Sequence, residues 1–193
     1  MTGSNRFASL SHSRVREERL GNDEYETPAE VTALLRKIVP FDGPILDPCC
    51  GSGRILKCFS DLECVGADLR EIPGVPRWDY LEHEERWDGD VVTNPPYHDG
   101  MAENFVVHAL YHSMGKVAML LQSGFLFGRE RTNSLRTCPP AVIISVPWRI
   151  RFHIGGTDQL IRSQAYNHVW AVWPTMDKRL PTLRTEFVLG FAP

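Results

Sequence analysis

The spacing of apolar residues along the chain predicts helices that alternate with short strands. Apolar residues three and four positions apart predict a helix over residues 28–38, and two further helices are predicted to reach about residue 60 and to span about 102–113. Short apolar runs bounded by turn residues predict strands at 45–47, 64–68, 91–93, 117–121, 142–146 and 169–173, with 187–191 as a candidate last strand. This alternation predicts an α/β fold with a mostly parallel central sheet and helices on both faces.

The segment Thr27-Pro28-Ala29-Glu30 predicts how the first helix begins. Thr27 is a suitable N-cap, Pro28 suits the first helical position, and Glu30 follows the cap by three residues. We therefore expect the Thr27 side chain to cap this helix.

The composition is that of one globular domain. The chain has 193 residues, of which 42% are hydrophobic and 23% charged, and this length favours a single domain. Residues 1–22 are polar and lack clear periodicity, so we interpret them as a flexible arm before a single domain at 23–193. No apolar run approaches the ~18 residues of a membrane span, and no secretory signal is evident. We therefore predict a cytoplasmic protein with no membrane partner.

Cysteines and charges narrow the function only slightly. The five cysteines include no Cys-x-x-Cys pair, so we predict reduced and mostly buried thiols. The net charge is −3, but residues 61–90 carry ten acidic and three basic residues, whereas residues 116–184 carry ten basic and three acidic ones. This asymmetry fits either a basic face for nucleic acid or two solvated surfaces without a binding role.

A glycine-containing turn follows the strand that ends in Asp47. Gly51 and Gly53 allow the backbone to approach a ligand closely, and Asp68 ends the next strand, where it could bind ribose hydroxyls. A dinucleotide fingerprint would need a small residue where Leu56 stands. Because an acid at position 47 suits an ammonium group better than a pyrophosphate, the pattern disfavours a nicotinamide cofactor. A purely structural tight turn is the alternative.

The segment Asn94-Pro95-Pro96-Tyr97 directly follows the third strand. It places a side-chain amide, two rigid peptides without N–H donors and an aromatic face at the end of a strand. The alternative interpretation is a rigid turn or a proline motif that binds a partner domain. Its position one strand–helix unit after the glycine turn favours a role at the same site.

Together, the segments 47–53 and 94–97 resemble the amino-methyltransferases that use S-adenosylmethionine. That superfamily includes DNA adenine-N6 and cytosine-N4 methyltransferases, RNA adenine methyltransferases and release-factor glutamine methyltransferases. The resemblance covers about residues 25–173 and implies a Rossmann-like class I methyltransferase fold. Residues 25–28 are similar to the segment that precedes the glycine loop in the DNA members. Residues 120–125 with Arg131, 148–152 and 170–173 look like small phage-type DNA adenine-N6 methyltransferases.

The resemblance implies S-adenosylmethionine as cofactor and S-adenosylhomocysteine as product, with no metal. Asp47 would accept from the methionine ammonium, Asp68 would bind the ribose, and Asp79 would lie near the adenine. The full set of implied cofactor-binding residues is Tyr25, Thr27, Pro28, Asp47, Pro48, Cys49, Gly51, Gly53, Asp68, Leu69, Asp79, Tyr80 and Asn94.

The resemblance also implies the catalytic segment, which is Asn94, Pro95, Pro96 and Tyr97. Asn94 and the Pro95 carbonyl would hold the substrate amino group, and Tyr97 would stack on a flipped-out base. The remaining candidates for substrate binding are His98, Arg149 and Arg151, for which solvated surface residues are the alternative. We interpret Trp148, Trp170 and Trp173 as packing residues.

The implied reaction is methyl transfer to the N6 amine of adenine by in-line attack. DNA is favoured over RNA, and the N5 amide of a protein glutamine is a further alternative, because its nitrogen is also planar and delocalised. No segment is long enough to form a separate target-recognition domain. A specificity partner or a homo-oligomer is therefore compatible with the sequence.

Overall fold

The computed structural model describes residues 25–127, 135, 137–161, 166–178 and 185–190, and a seven-stranded sheet forms its centre. The strands are β1 Tyr25–Glu26, β2 Ile45–Asp47, β3 Cys64–Gly66, β4 Asp90–Thr93, β5 Val117–Gln122, β6 Val142–Ser145, β7 His153–Ile154, β8 His168–Trp173 and β9 Glu186–Leu189. The α-helices are α1 Ala29–Ile38, α2 Arg54–Lys57 and α3 Met101–His112. The predicted flexible arm, residues 1–22, lies outside the described residues.

The order of the strands places a crevice beside β2. Within the described residues, the main sheet has the order β3-β2-β4-β5-β8-β6-β9, and β1 pairs separately with β7. β2 pairs in parallel with both β3 and β4, whereas β8 is antiparallel to β5 and β6. The next two strands along the chain, β3 and β4, therefore lie on opposite sides of β2. Such a reversal of strand order opens a crevice at the carboxyl ends of β2 and β4. The prediction of a mostly parallel sheet is confirmed.

Helices cover both faces of the sheet, as predicted. Val92 and Leu120 pack with α1 and α2 in one core, whereas Val91 and Met119 pack with α3 in the other. This alternation follows from the two-residue period of a strand, and strands buried on both faces are apolar throughout. None of the described helices is long and apolar enough to cross a membrane.

The first helix begins differently from the prediction. Pro28 takes the N-cap position with an extended backbone, and its carbonyl accepts a hydrogen bond of 3.1 Å from the Val31 N–H. The Thr27 side chain makes no capping bond, so the prediction that it caps α1 was wrong. Because Pro28 is extended, the helix starts one residue later than expected. Thr27 instead lines the pocket described below, and its buried Oγ1 has no hydrogen-bond partner among the described residues.

Helix α2 is also shorter than predicted, since it ends at Lys57 rather than near residue 60. The N–H groups of Cys58 and Phe59 bond to carbonyls three residues back, at 3.0 and 2.8 Å, so 3₁₀-type turns replace the last α-helical turn. The strand predicted at 64–68 also ends early, at Gly66.

The prediction of mostly buried cysteines was partly wrong, because Cys50 is buried but the other four free thiols are only half-buried.

The Trp170 ring connects the sheet to α1 and provides a test of this packing. Trp170 on β8 is fully buried, and its indole N–H donates to the Val31 carbonyl at 2.9 Å. We expect Trp170→Ala to lower the free energy of unfolding by roughly 3–5 kcal/mol, measured by denaturant unfolding. Tyr111→Ala is the control, because this ring is 68% exposed and its loss should cost less than about 0.5 kcal/mol. Equal losses would contradict the packing described here.

Candidate active site

A pocket of about 400 Å³ opens at the carboxyl ends of β2 and β4. Its walls come from β1, the loops after β2 and β3, the 3₁₀ helix Tyr80–Glu82 and the loop after β4. It brings together these predicted site residues: Tyr25, Thr27, Asp47, Pro48, Cys49, Gly51, Asp68, Leu69, Asp79, Tyr80, Asn94, Pro95, Pro96, Tyr97 and His98. The predicted candidates Pro28, Gly53, Arg149 and Arg151 are not among its lining residues; both arginines are exposed on the segment after β6.

Asp47 lines this pocket and has one carboxylate oxygen without a hydrogen-bond donor among the described residues. Its side chain is almost completely buried, and Oδ1 accepts from Thr93 Oγ1 at 2.7 Å and from the Cys49 N–H at 3.1 Å. Oδ2 has no hydrogen-bond partner among the described residues. Burial raises the pKa of Asp47 to about 7, although the two hydrogen bonds oppose that rise. A cationic group of a ligand would complete this site, because buried charges require a partner.

The loop after Asp47 depends on Gly51. Its φ of +53° lies in the left-handed region, and its N–H donates to Asp68 Oδ2 at 3.0 Å. A Cβ on Gly51 would lie 2.9 Å from Glu26 Oε1. Glycine therefore satisfies both the backbone conformation and the close approach of Glu26.

Glu26 holds this loop in place and was missed in the sequence analysis. Its buried carboxylate accepts from the Ser52 N–H and Oγ at 2.7 and 2.9 Å, from Arg54 Nε at 2.7 Å and from the Gly156 N–H at 3.1 Å. Burial acts to raise the pKa of Glu26, but these hydrogen bonds lower it below its usual value. Because the partners lie 26 to 130 residues away in the sequence, no local pattern indicates this role.

Asp68 lines the pocket, and its carboxylate is bound by Arg70. The Arg70 N–H and Nε donate to Oδ1 at 3.0 and 2.9 Å, and Nη2 donates to Oδ2 at 2.9 Å. Burial acts to raise the pKa of Asp68, but Arg70 lowers it below its usual value. Leu69, between these two residues, is 53% exposed and adds an apolar surface to the pocket.

Asn94 is oriented by two neighbours at the end of β4. Its Nδ2 donates to the Tyr25 carbonyl at 3.4 Å, and its Oδ1 accepts from the Tyr97 hydroxyl. The same hydroxyl lies 2.9 Å from the Leu120 carbonyl. The amide oxygen of Asn94 is therefore fixed within the pocket. The ring of Tyr97 lines the pocket beside it, and its stacking on a base stays a prediction.

The other side of the pocket is built by residues 78–82. Asp79 Oδ1 accepts from the Leu81 N–H at 3.1 Å and so caps the 3₁₀ helix Tyr80–Glu82. Tyr80 is buried against Phe105 of α3, with ring centroids 5.3 Å apart. Asp79 thus has a structural role that adds to its predicted position beside a ligand.

Solved structures of low sequence identity share this architecture. No family model matches the sequence, and no curated protein sequence matches it. A Listeria monocytogenes protein assigned to the class I S-adenosylmethionine-dependent methyltransferases aligns with a TM-score of 0.59 and 15% identity, over 91% of this chain and 65% of that one. A Pyrococcus horikoshii protein assigned as an RNA methyltransferase aligns with a TM-score of 0.57 and 16% identity, over 81% of this chain and 89% of that one. A Plasmodium falciparum dimethyladenosine transferase aligns with a TM-score of 0.52 and 10% identity, over 80% of this chain and 64% of that one.

This chain has the Rossmann-like class I methyltransferase fold. The predicted fold class is thereby confirmed, and identities of this size demonstrate the fold alone. The chain spans 65% of the length of the Listeria protein. Within the methyltransferase fold, the pocket described above occupies the crevice where the order of the strands reverses.

The site can bind a cation and amine donors, but it does not present a nucleophilic thiolate. Burial raises the pKa of the Cys50 thiol to about 12 and raises that of Cys49 well above its usual value. Both thiols therefore stay protonated near neutral pH. Among the described residues, no group of three or more His, Cys, Asp and Glu side chains is arranged to hold a metal ion.

The raised pKa of Asp47 predicts how stability depends on pH. Between about pH 4 and pH 7, the folded protein keeps a proton on Asp47 that the unfolded chain, with a pKa of 3.8, has lost. Stability must therefore fall as the pH rises through this window. Relative to Asp47→Asn, the free energy of unfolding of the wild type should fall by up to about 4 kcal/mol from pH 4 to pH 8, measured without ligand. Parallel pH profiles for the two proteins would contradict the buried, unpaired state of Asp47.

The two glycines of the loop provide a matched pair of variants. A Cβ on Gly53, at a φ of +80°, meets nothing within 4 Å, whereas a Cβ on Gly51 meets Glu26. We expect Gly53→Ala to cost roughly 1–2 kcal/mol of unfolding free energy through backbone strain alone. Gly51→Ala should cost clearly more, because the Glu26 carboxylate must also shift. If denaturant unfolding gives equal losses, Glu26 does not constrain the loop.

Proposed function

We propose that this chain is a methyltransferase that uses S-adenosylmethionine and methylates the N6 amine of adenine in DNA. One observation carries the proposal. Asp47, which has a buried carboxylate oxygen without a partner among the described residues, and Asn94, whose amide is held by two neighbours, line one pocket at the carboxyl ends of neighbouring parallel strands. The first group suits the ammonium of a cofactor, and the second suits the amine of an acceptor. Methyl transfer requires the bound cofactor and the acceptor amine to lie side by side.

The proposal assigns a residue of the pocket to each part of S-adenosylmethionine. Asp47 Oδ2 offers an acceptor for the methionine ammonium, and Gly51 allows the backbone to approach that end. Asp68 offers a carboxylate to the ribose hydroxyls, and the exposed side chain of Leu69 offers an apolar contact to the adenine. When bound, the cofactor supplies a methyl group on a positively charged sulfur.

Asn94 and Pro95 would activate the acceptor amine. The lone pair of an exocyclic amine is delocalised into the ring, which makes it a poor nucleophile. Asn94 Oδ1 and the Pro95 carbonyl would accept its two N–H groups and draw the hydrogens out of the ring plane, which localises the lone pair on nitrogen. An amide oxygen has two lone pairs, so Asn94 can accept from the amine and keep its contact with Tyr97. The released proton leaves to solvent.

The distribution of charge and the sequence motifs favour a nucleic acid as the substrate. Residues 116–184 hold ten basic and three acidic residues, and Arg149 and Arg151 are exposed. Lysines and arginines supply most of the affinity for a phosphate backbone. The motif resemblance supports DNA, whereas two similar structures are named for RNA or for dimethyladenosine, which makes RNA the second candidate. The glutamine amide of a protein is a third acceptor for the same Asn-Pro-Pro-Tyr segment.

The acceptor can be identified by a direct transfer assay. Methyl-labelled S-adenosylmethionine would be incubated with duplex DNA, single-stranded DNA, structured RNA and a protein extract, and labelled nucleosides or residues would be identified by mass spectrometry. We expect N6-methyladenine in DNA. Label only in RNA or only in protein would overturn the DNA assignment and retain the transferase. If the cofactor binds but no acceptor is labelled, catalysis by this chain alone is contradicted.

Variants at the two ends of the pocket should separate binding from chemistry. Asn94→Ala should lower the rate of transfer roughly 10²- to 10³-fold and leave the affinity for S-adenosylhomocysteine close to unchanged, because the main contact of the Asn94 amide oxygen is with the acceptor. Asp68→Ala should instead lower the affinity for S-adenosylhomocysteine, measured by isothermal titration calorimetry. If both variants lose the same property, the assignment of separate roles is wrong.

A further inference from the structure

The carboxylate of Asp68 has no free acceptor site. A carboxylate offers about four lone-pair positions, two on each oxygen. The Arg70 N–H and Nε occupy Oδ1, and the Gly51 N–H and Arg70 Nη2 occupy Oδ2, all at 2.9–3.0 Å. A ribose can therefore bind Asp68 only if one of these donors leaves.

Two of the four donors are fixed by the backbone. The Gly51 N–H belongs to the glycine loop held by Glu26, and the Arg70 N–H closes a tight turn on Asp68. Asp68 itself is fixed, since its N–H donates to the Pro76 carbonyl at 3.1 Å and its carbonyl accepts from the Trp78 N–H at 3.0 Å. The carboxylate therefore cannot turn away to meet a ligand elsewhere.

The other two donors belong to one side chain, which is partly exposed. The Arg70 side chain is 39% exposed, whereas that of Asp68 is 5% exposed. Arg70 Nε and Nη2 each bond a different oxygen of the carboxylate, as two parallel N–H groups. The two hydroxyls of a ribose present neighbouring O–H donors in the same way. When the guanidinium leaves, one acceptor position opens on each oxygen, which is what a cis-diol requires.

We propose that the Arg70 guanidinium occupies the ribose position of the free protein and competes with the cofactor for Asp68. This inference rests on the proposed function. Arg70 is then a residue that sets the affinity for the cofactor, and its side chain moves into solvent when the ribose binds. The opposing interpretation, in which Arg70 supports Asp68 for ribose binding, predicts the opposite sign for both Arg70 variants below.

The inference is tested by removing the guanidinium and measuring ligand affinity by calorimetry and NMR titration. Arg70→Met should raise the affinity for S-adenosylhomocysteine and for adenosine by at least about threefold, since a partly exposed ion pair no longer has to be broken. Arg70→Lys keeps the charge without the bidentate geometry and should give a smaller gain. Arg86→Met is the control for the loss of charge, because exposed Arg86 contacts Met114 Sδ and is not among the residues that line the pocket; it should leave both affinities unchanged.

A ligand without ribose hydroxyls isolates the effect at Asp68. Arg70→Met should raise the affinity for adenosine but not the affinity for 2′,3′-dideoxyadenosine. The gain in affinity for adenosine should shrink at higher salt, because salt screens the ion pair of the wild type. Weaker adenosine binding by Arg70→Met, or an equal gain with the dideoxy compound, would overturn the competition. If wild type and variants bind S-adenosylhomocysteine equally, Arg70 has no such role although the proposed cofactor stands. If neither protein binds it, the proposed function itself fails.

Discussion

The fold is arranged around a buried carboxylate that lacks one partner. Asp47 lies at the carboxyl end of β2, and only one of its two oxygens receives hydrogen bonds from the described residues. Such a group destabilises the free protein above its raised pKa, because an ionised carboxylate is costly without a counter-charge. A structure with only stability to maintain would have an amide or an apolar side chain here. The cost is intelligible if a ligand provides the missing positive charge.

Two further acidic residues keep the surroundings of Asp47 rigid. Glu26 receives four hydrogen bonds that join β1, the glycine loop and the segment after β7. Asp68 receives four more, from Gly51 and Arg70. The glycine loop is thus held from both sides by carboxylates whose pKa values lie below their usual range. The three acids differ in one respect, which is that Asp47 alone keeps an unpartnered oxygen among the described residues.

Local sequence patterns predicted the strands of the main sheet and the main motifs, but not the two-stranded sheet of β1 and β7 or the contacts between distant segments. The apolar runs located the strands because a buried parallel sheet requires continuous apolar residues. The loops after β2 and β4 were identified because glycine and proline restrict the backbone locally. Glu26 and Arg54 were missed, since their bond joins residues 28 positions apart. The capping role of Thr27 failed because the extended Pro28 moved the start of α1 by one residue.

The central claim is that the unpaired oxygen of Asp47 receives the ammonium group of the cofactor. A crystal structure of the protein with S-adenosylhomocysteine tests it most directly. We expect the ammonium nitrogen within hydrogen-bond distance of Asp47 Oδ2, with the rest of the ligand in the pocket between β2 and β4. A ligand bound elsewhere, or one bound in this pocket with its ammonium away from Asp47, would contradict the claim.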